Sequence, residues 1–143
     1  RHYLPQMLEQ NWGRIIFISS ESGIQIPAEM VHYGTTKTAQ LGVSRGLAQQ
    51  TAGTNVTVNT VIPGSTRSEG SEKFIGNLAQ EKGLSKEEVE QEFFDKVRPT
   101  CLLERFATTD EVATFVTYLS SPLAAANNGA ALRVDGGTIP TIL

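Results

Sequence analysis

Two short apolar runs, RIIFIS from Arg14 to Ser19 and VTVNTVI from Val56 to Ile62, flank one long helical stretch from about Val31 to Gln50. Strands that are apolar on both faces belong to parallel sheets covered by helices, and parallel neighbours need a crossover of a dozen residues or more. A third short run, ALRV from Ala131 to Val134, follows another helical segment. Strand, helix, strand, helix, strand in this order predicts an α/β fold with a doubly wound parallel sheet. The turn chemistry agrees. Asn11-Trp12-Gly13 precedes the first strand, Gly53-Thr54-Asn55 precedes the second, Pro63-Gly64 stops the second, and Asp135-Gly136-Gly137 follows the third.

Between Ser65 and Arg105 the chain is polar, charged and helical in pieces. SKEE (Ser85 to Glu88) has the form of a capping box that opens an amphipathic helix through Val97, and Arg98-Pro99 closes it. TTDE (Thr108 to Glu111) predicts a second capped helix to about Ser121. The acidic run from Glu87 to Glu92 reads as a solvated helix face. On the Val31–Gln50 helix, Ala39, Gly42, Val43, Gly46 and Leu47 share one side. That face has two candidate uses: packing on the chain's own sheet, or part of a subunit interface with the helix ending near Asn11.

An apolar content of 39% over 143 residues supports one domain with a real core. A net charge of −3 gives no basic footprint for nucleic acid. No apolar run approaches the ~20 residues of a membrane span, so no membrane partner is expected. Nothing at the N-terminus reads as a signal peptide, and the single Cys101 excludes an internal disulfide framework, leaving a cytoplasmic location as the default. With two histidines and one cysteine, no metal site is expected. Arg1 is not a methionine, and RHYLPQMLEQN reads as the tail of a helix. Three parallel strands make a thin sheet, and no glycine-rich strand-to-helix turn is present to hold a pyrophosphate. Both deficits lead us to expect a fragment of a longer protein.

Tyr33 and Lys37 stand four residues apart in HYGTTK, with Ser20 thirteen residues before the tyrosine. On a helix, that spacing projects the phenol and the ammonium from one face. A cation beside a phenol favours the phenolate, which turns a weak acid into a usable proton donor and acceptor. A serine hydroxyl from a neighbouring strand end can bind the oxygen that gains or loses the proton. Taken alone, the pair is equally an amphipathic tyrosine and a solvated lysine. Ser19 is as good a hydroxyl by composition, but the spacing favours Ser20, and strand alternation sends the two side chains to opposite faces.

In order along the chain, GRIIFISSESG, YGTTK, VNTVIPGSTRS, RFATTDEVATFVTYLSSP and NGAALRVDGG resemble the short-chain dehydrogenase/reductase family, in its single-domain branch of 3-oxoacyl carrier-protein reductases and hydroxysteroid dehydrogenases. The match covers nearly the whole chain and resembles the C-terminal half of such an enzyme, a Rossmann domain with a helical substrate lid at about 65–105. The resemblance implies an NAD- or NADP-dependent oxidoreductase that interconverts a small-molecule secondary alcohol and a ketone. It implies Tyr33 as general acid and base, Lys37 as its electrostatic partner and ribose ligand, and Ser20 as the group that orients and polarises the substrate oxygen. It puts Ile18, Tyr33, Lys37, Pro63, Gly64, Thr66 and Ser68 at the cofactor, and Ser20, Ser22, Tyr33 and Gly64 at the substrate. Ser68 stands where threonine is usual and keeps the hydroxyl; Thr66 stands where a branched aliphatic is usual. The other half would carry the glycine-rich cofactor turn, the residue selecting NAD or NADP, and an asparagine of the usual catalytic set. A homo-oligomer of the full-length protein is implied, and this chain alone is expected to be catalytically silent. Two alternatives stand beside this reading: an epimerase or dehydratase of the long-form branch, against which the short VDGG ending argues, and a non-catalytic interaction module.

Overall fold

A computed structural model describes residues 2–142, so Arg1, the first residue of the expected opening helix, and Leu143 lie outside the described residues. That helix, α1, runs Tyr3–Glu9. The first strand, β1, is Gly13–Ile18, and the long helix, α2, is Val31–Gln49. Strand β2 is Val56–Pro63, helices α3 and α4 are Glu69–Lys82 and Lys86–Lys96, helix α5 is Thr109–Ser120, and strand β3 is Ala131–Val134. Each strand expected from the sequence lies within one residue of its place.

The sheet is parallel throughout, in the order β1-β2-β3. Its centre is β2, where Val56 through Ile62 are all buried, as a strand covered on both faces must be. The register sets Gly13 opposite Val56 and Ile18 opposite Val61, then Thr60 opposite Ala131 and Pro63 opposite Val134. Helix α5 covers the face carrying Ile16, Val61, Leu132 and Val134, with Phe115, Val116 and Leu119 packed against it. Strand alternation leaves the opposite face for α2, which packs on β2 and β1. Asn59, buried in the middle of β2, is satisfied from one loop: its Nδ2 donates to Asn127 O at 2.7 Å and its Oδ1 accepts from Ala130 N at 3.1 Å.

One expected use of the small-residue face of α2 is corrected. Ala39, Gly42, Val43 and Gly46 are exposed, and a Cβ built on Gly42 or Gly46 meets nothing within 4 Å. The buried side of α2 is Gly34, Ser44 and Ala48. Polar Ser44 at i and Ala48 at i+4 set the packed stripe, and sequence hydropathy ranked them below the more apolar residues one position away.

Between β2 and α5 stands a second, smaller core. Ile75, Ala79, Val89, Phe94, Cys101 and Phe106 are buried together. Phe93 stacks on Phe106 at 5.3 Å, and Phe94 meets both rings edge-on at 5.1 Å. The two ends of this segment are joined at a neck: Ala107 N donates to Ser65 O at 2.9 Å, Arg67 N donates to Ala107 O at 2.7 Å, and Thr66 bridges Ala107. Capping boxes open α4 at Ser85 and α5 at Thr108 as expected, and a third, unexpected one at Ser68 opens α3 with Ser71 in place of an acidic partner. The acidic run is paired rather than merely solvated. Glu90 binds Arg67 through both oxygens at 2.7 Å, and Glu92 binds Lys82 and Lys96 at 2.5 Å each.

Candidate active site

Parallel strands end together, and the crevice beyond their carboxyl ends is the usual binding region of an open α/β sheet. Here β1 ends at Ile18 and continues through Ser19, whose N–H donates to Val61 O at 2.9 Å. Ser20 then caps a 3-10 turn, Glu21–Gly23, and β2 ends alongside at Pro63.

The Ser20 turn is clasped to the first turns of α2. Ser19 Oγ donates to Lys37 O at 2.9 Å, and Thr38 Oγ1 donates to Gly23 O at 2.6 Å. Gly34, next to Tyr33, comes so close that a Cβ there would stand 2.7 Å from Ser22 O and 2.6 Å from an Ile26 methyl. These contacts hold the turn that Ser20 caps against the first turns of α2, which carry Tyr33 and Lys37. Ser19 points into the α2 backbone and serves as a structural latch, while Ser20 points elsewhere, as strand alternation requires.

Tyr33 is half-buried, and the Lys37 ammonium lies 5.6 Å from its ring centroid. Lys37 Nζ donates to Ile18 O at 2.9 Å, which commits one of its three N–H groups and holds the side chain across the end of β1. Ser20 is buried; its hydroxyl donates to Glu21 Oε2 at 2.5 Å and accepts from Ser22 N at 3.1 Å. Ser22 is buried as well.

At the end of β2, Gly64 passes against the turn after β3, where a Cβ would fall 2.5 Å from Asp135 O and 2.9 Å from Asp135 Cα. Only glycine fits that approach. Thr66 Oγ1 donates back to Gly64 O at 3.0 Å, and Ser68 Oγ accepts from Ser71 N at 3.3 Å as the cap of α3. Asp135 ties its own turn, accepting from Gly137 N at 3.2 Å and Ile139 N at 3.0 Å, which is the structural role expected of it.

Two residues of this region escaped sequence reasoning. Glu21 is 6% exposed, and its Oε1 accepts from Arg98 Nε at 3.0 Å. The sequence offered Glu21 only as the neighbour of Ser20, and Arg98 only as the start of a helix-stopping Arg-Pro pair. Both line a cleft of about 380 Å³ with Gln25, Ile26, Val97 and Thr138.

Known proteins resemble this chain over nearly its whole length. The model of the family described as enoyl-(acyl carrier protein) reductase matches residues 1–138. The uncharacterized oxidoreductase YvaG of Bacillus subtilis (strain 168) is 50% identical over 142 residues, which are 99% of this chain and 54% of that protein. The D-beta-hydroxybutyrate dehydrogenase of Rhizobium meliloti (strain 1021) is 33% identical over 96% of this chain and 52% of its own length. Among solved structures, L-sorbose reductase from Gluconobacter frateurii, complexed with NADPH and L-sorbose, superposes with a TM-score of 0.89 at 29% identity, over 97% of this chain and 52% of that one. The chain spans about half the length of the curated relatives it matches.

Proposed function

Because this chain belongs to the short-chain dehydrogenase/reductase family, we propose that it is the C-terminal half of an NAD- or NADP-dependent oxidoreductase that interconverts a secondary alcohol and a ketone. The observation that carries this reading is the clasp between the Ser20 turn and the first turns of α2, beside the joined ends of β1 and β2.

The residues present fit a nicotinamide cofactor at that edge. Lys37 keeps two donors beyond the one given to Ile18, and the neighbouring strand β2 ends at Pro63 on the same edge of the sheet. Tyr33, Lys37, Ile18, Pro63, Gly64, Thr66 and Ser68 would hold the nicotinamide half, and the bound cofactor would supply the hydride acceptor or donor. Tyr33 then moves the proton at its Oη, giving it to the carbonyl oxygen in reduction and taking it from the alcohol in oxidation. Lys37 stabilises the negative charge on the phenol oxygen as it forms. Ser20, Ser22 and Gly64 border the substrate oxygen. The segment from Ser65 to Arg105 is the lid, and its closure excludes water from the transfer. The substrate is a small, polar carbonyl compound, a reading supported by the hydroxybutyrate and sorbose named for two relatives. The full-length protein is a homo-oligomer that covers the exposed face of α2.

The test is a nicotinamide-absorbance assay of the full-length protein with NAD, NADP and their reduced forms against D-β-hydroxybutyrate, acetoacetate, L-sorbose and sorbitol. Turnover of one pair is expected. Tyr33→Phe should lower kcat by about 10²-fold or more, and the 143-residue chain alone should turn over nothing. Undiminished turnover by Tyr33→Phe would sink the assignment of the proton donor.

A further inference from the structure

Glu21 is a buried carboxylate beside the hydroxyl that the proposed reaction uses, and burial of such a group is costly unless every lone pair is engaged. Here three donors converge on it. Ser20 Oγ and Ser22 N approach Oε2 at 2.5 and 2.8 Å, and Arg98 Nε approaches Oε1 at 3.0 Å. Arg98 arrives from the far end of the lid, 77 residues along the chain, and is itself largely buried.

The consequence falls on Ser20. A serine hydroxyl has one proton and two lone pairs. The proton is committed to a carboxylate in a short, charge-assisted bond, and the Ser22 N–H, shared with Glu21 Oε2, also reaches one lone pair at 3.1 Å. The rotor has no freedom left, and Ser20 Oγ presents one lone pair, not its proton, to whatever lies in front of it.

We propose that Glu21 is a positioning residue for Ser20, and that Arg98 makes the seating of the lid and the orientation of the Ser20 hydroxyl a single event. With Arg98 in place, the Ser20 proton stays on Glu21 and a Ser20 lone pair is left facing the reacting oxygen; releasing Arg98 frees the carboxylate, and with it the Ser20 proton. The pairing also keeps the site electrically neutral: an unpaired carboxylate at Ser20 would oppose charge on the neighbouring phenol. This inference rests on the reaction proposed above, in which Ser20 meets the reacting oxygen.

The test uses the full-length protein and the substrate pair that turns over fastest in the assay above. Glu21→Gln and Arg98→Met should each lower kcat by about ten- to hundredfold with cofactor affinity unchanged, and the double variant should be no slower than either single one. Placed in Ser20→Ala, whose residual rate is measured with excess enzyme, Glu21→Gln should have no further effect. A role confined to folding would instead lower the melting temperature and leave its mark in the Ser20→Ala background too. Wild-type kcat in Glu21→Gln, or an equal loss with and without Ser20, overturns the proposal. If Tyr33→Phe keeps its rate, the reaction reading fails; if Tyr33→Phe and Ser20→Ala are crippled while Glu21→Gln is not, only the present inference fails. Should no pair turn over, a crystal structure of Arg98→Met decides the geometric half: the Glu21 carboxylate should leave Ser20, and its staying within 3 Å (about a hydrogen-bond length) would overturn the coupling.

Discussion

At the scale of single residues, the site depends on close backbone approach as much as on reactive groups. Gly64 is the clearest case, because the atoms in the way of a side chain belong to the Asp135 backbone and cannot rotate aside. Gly64→Ala should cost about 1–3 kcal/mol in urea unfolding of the full-length protein, and Asp135→Ala should not restore the loss. A rescue by Asp135→Ala would show that the obstacle is the side chain instead. Such facts are not legible in a sequence: Pro63-Gly64 reads as a strand stop, and only the placement of β3 beside β2 reveals why glycine is needed. The same holds for Glu21 and Arg98. Tyr33, Lys37 and Ser20 could be picked out because their spacing lies within one turn or one crossover, whereas a pair 77 residues apart leaves no local pattern.

At the scale of elements, strand positions were legible because β2 is buried on both faces and writes a continuous apolar run, and helix starts were legible where a serine or threonine stands three residues before a glutamate. The packed side of α2 was not, since its contacts are made by Gly34, Ser44 and Ala48 while more apolar Val43 faces out. Helices α4 and α5 carry their own electrostatic signature. Hydrogen bonds from Lys82 and then Lys96 hold the Glu92 carboxyl down at about 2, against an ordinary 4.5, and Arg105 followed by the Thr108 N–H does the same for Glu111. Folded-state values below the unfolded ones mean stability that is complete above about pH 4.5 and is lost as pH falls toward about 2. The pairing of α3 with α4 should therefore loosen in acid within that window, seen as faster amide exchange in α4, and the slope should flatten in Glu92→Gln. Glu111 is exposed and Glu92 is partly so, and added salt should weaken the effect. Equal acid sensitivity in Glu92→Gln would remove Glu92 as its source.

At the scale of the whole molecule, the exposed face of α2 discriminates between a lone chain and an assembly. Glycine within a helix is less favourable than alanine by about 0.5–1 kcal/mol, and at Gly42 and Gly46 a methyl group meets nothing in this chain. Replacing both with alanine should therefore raise the melting temperature if that face is free. In the homo-oligomer proposed here, where a second copy lies against it, the same change should shift the full-length protein to smaller species in light scattering and leave its melting temperature no higher. A more stable protein of unchanged mass would sink the proposed interface.

The neck at Ser65–Arg67 and Ala107 has a consequence for how such a protein can change over time. A segment that enters and leaves through adjacent backbone, and that carries its own aromatic centre, is a cassette. Insertions, deletions or wholesale exchange within it are absorbed on its own side of the neck, so this segment can diverge while the sheet, and the Ser20 turn and first turns of α2 at its edge, stay as they were.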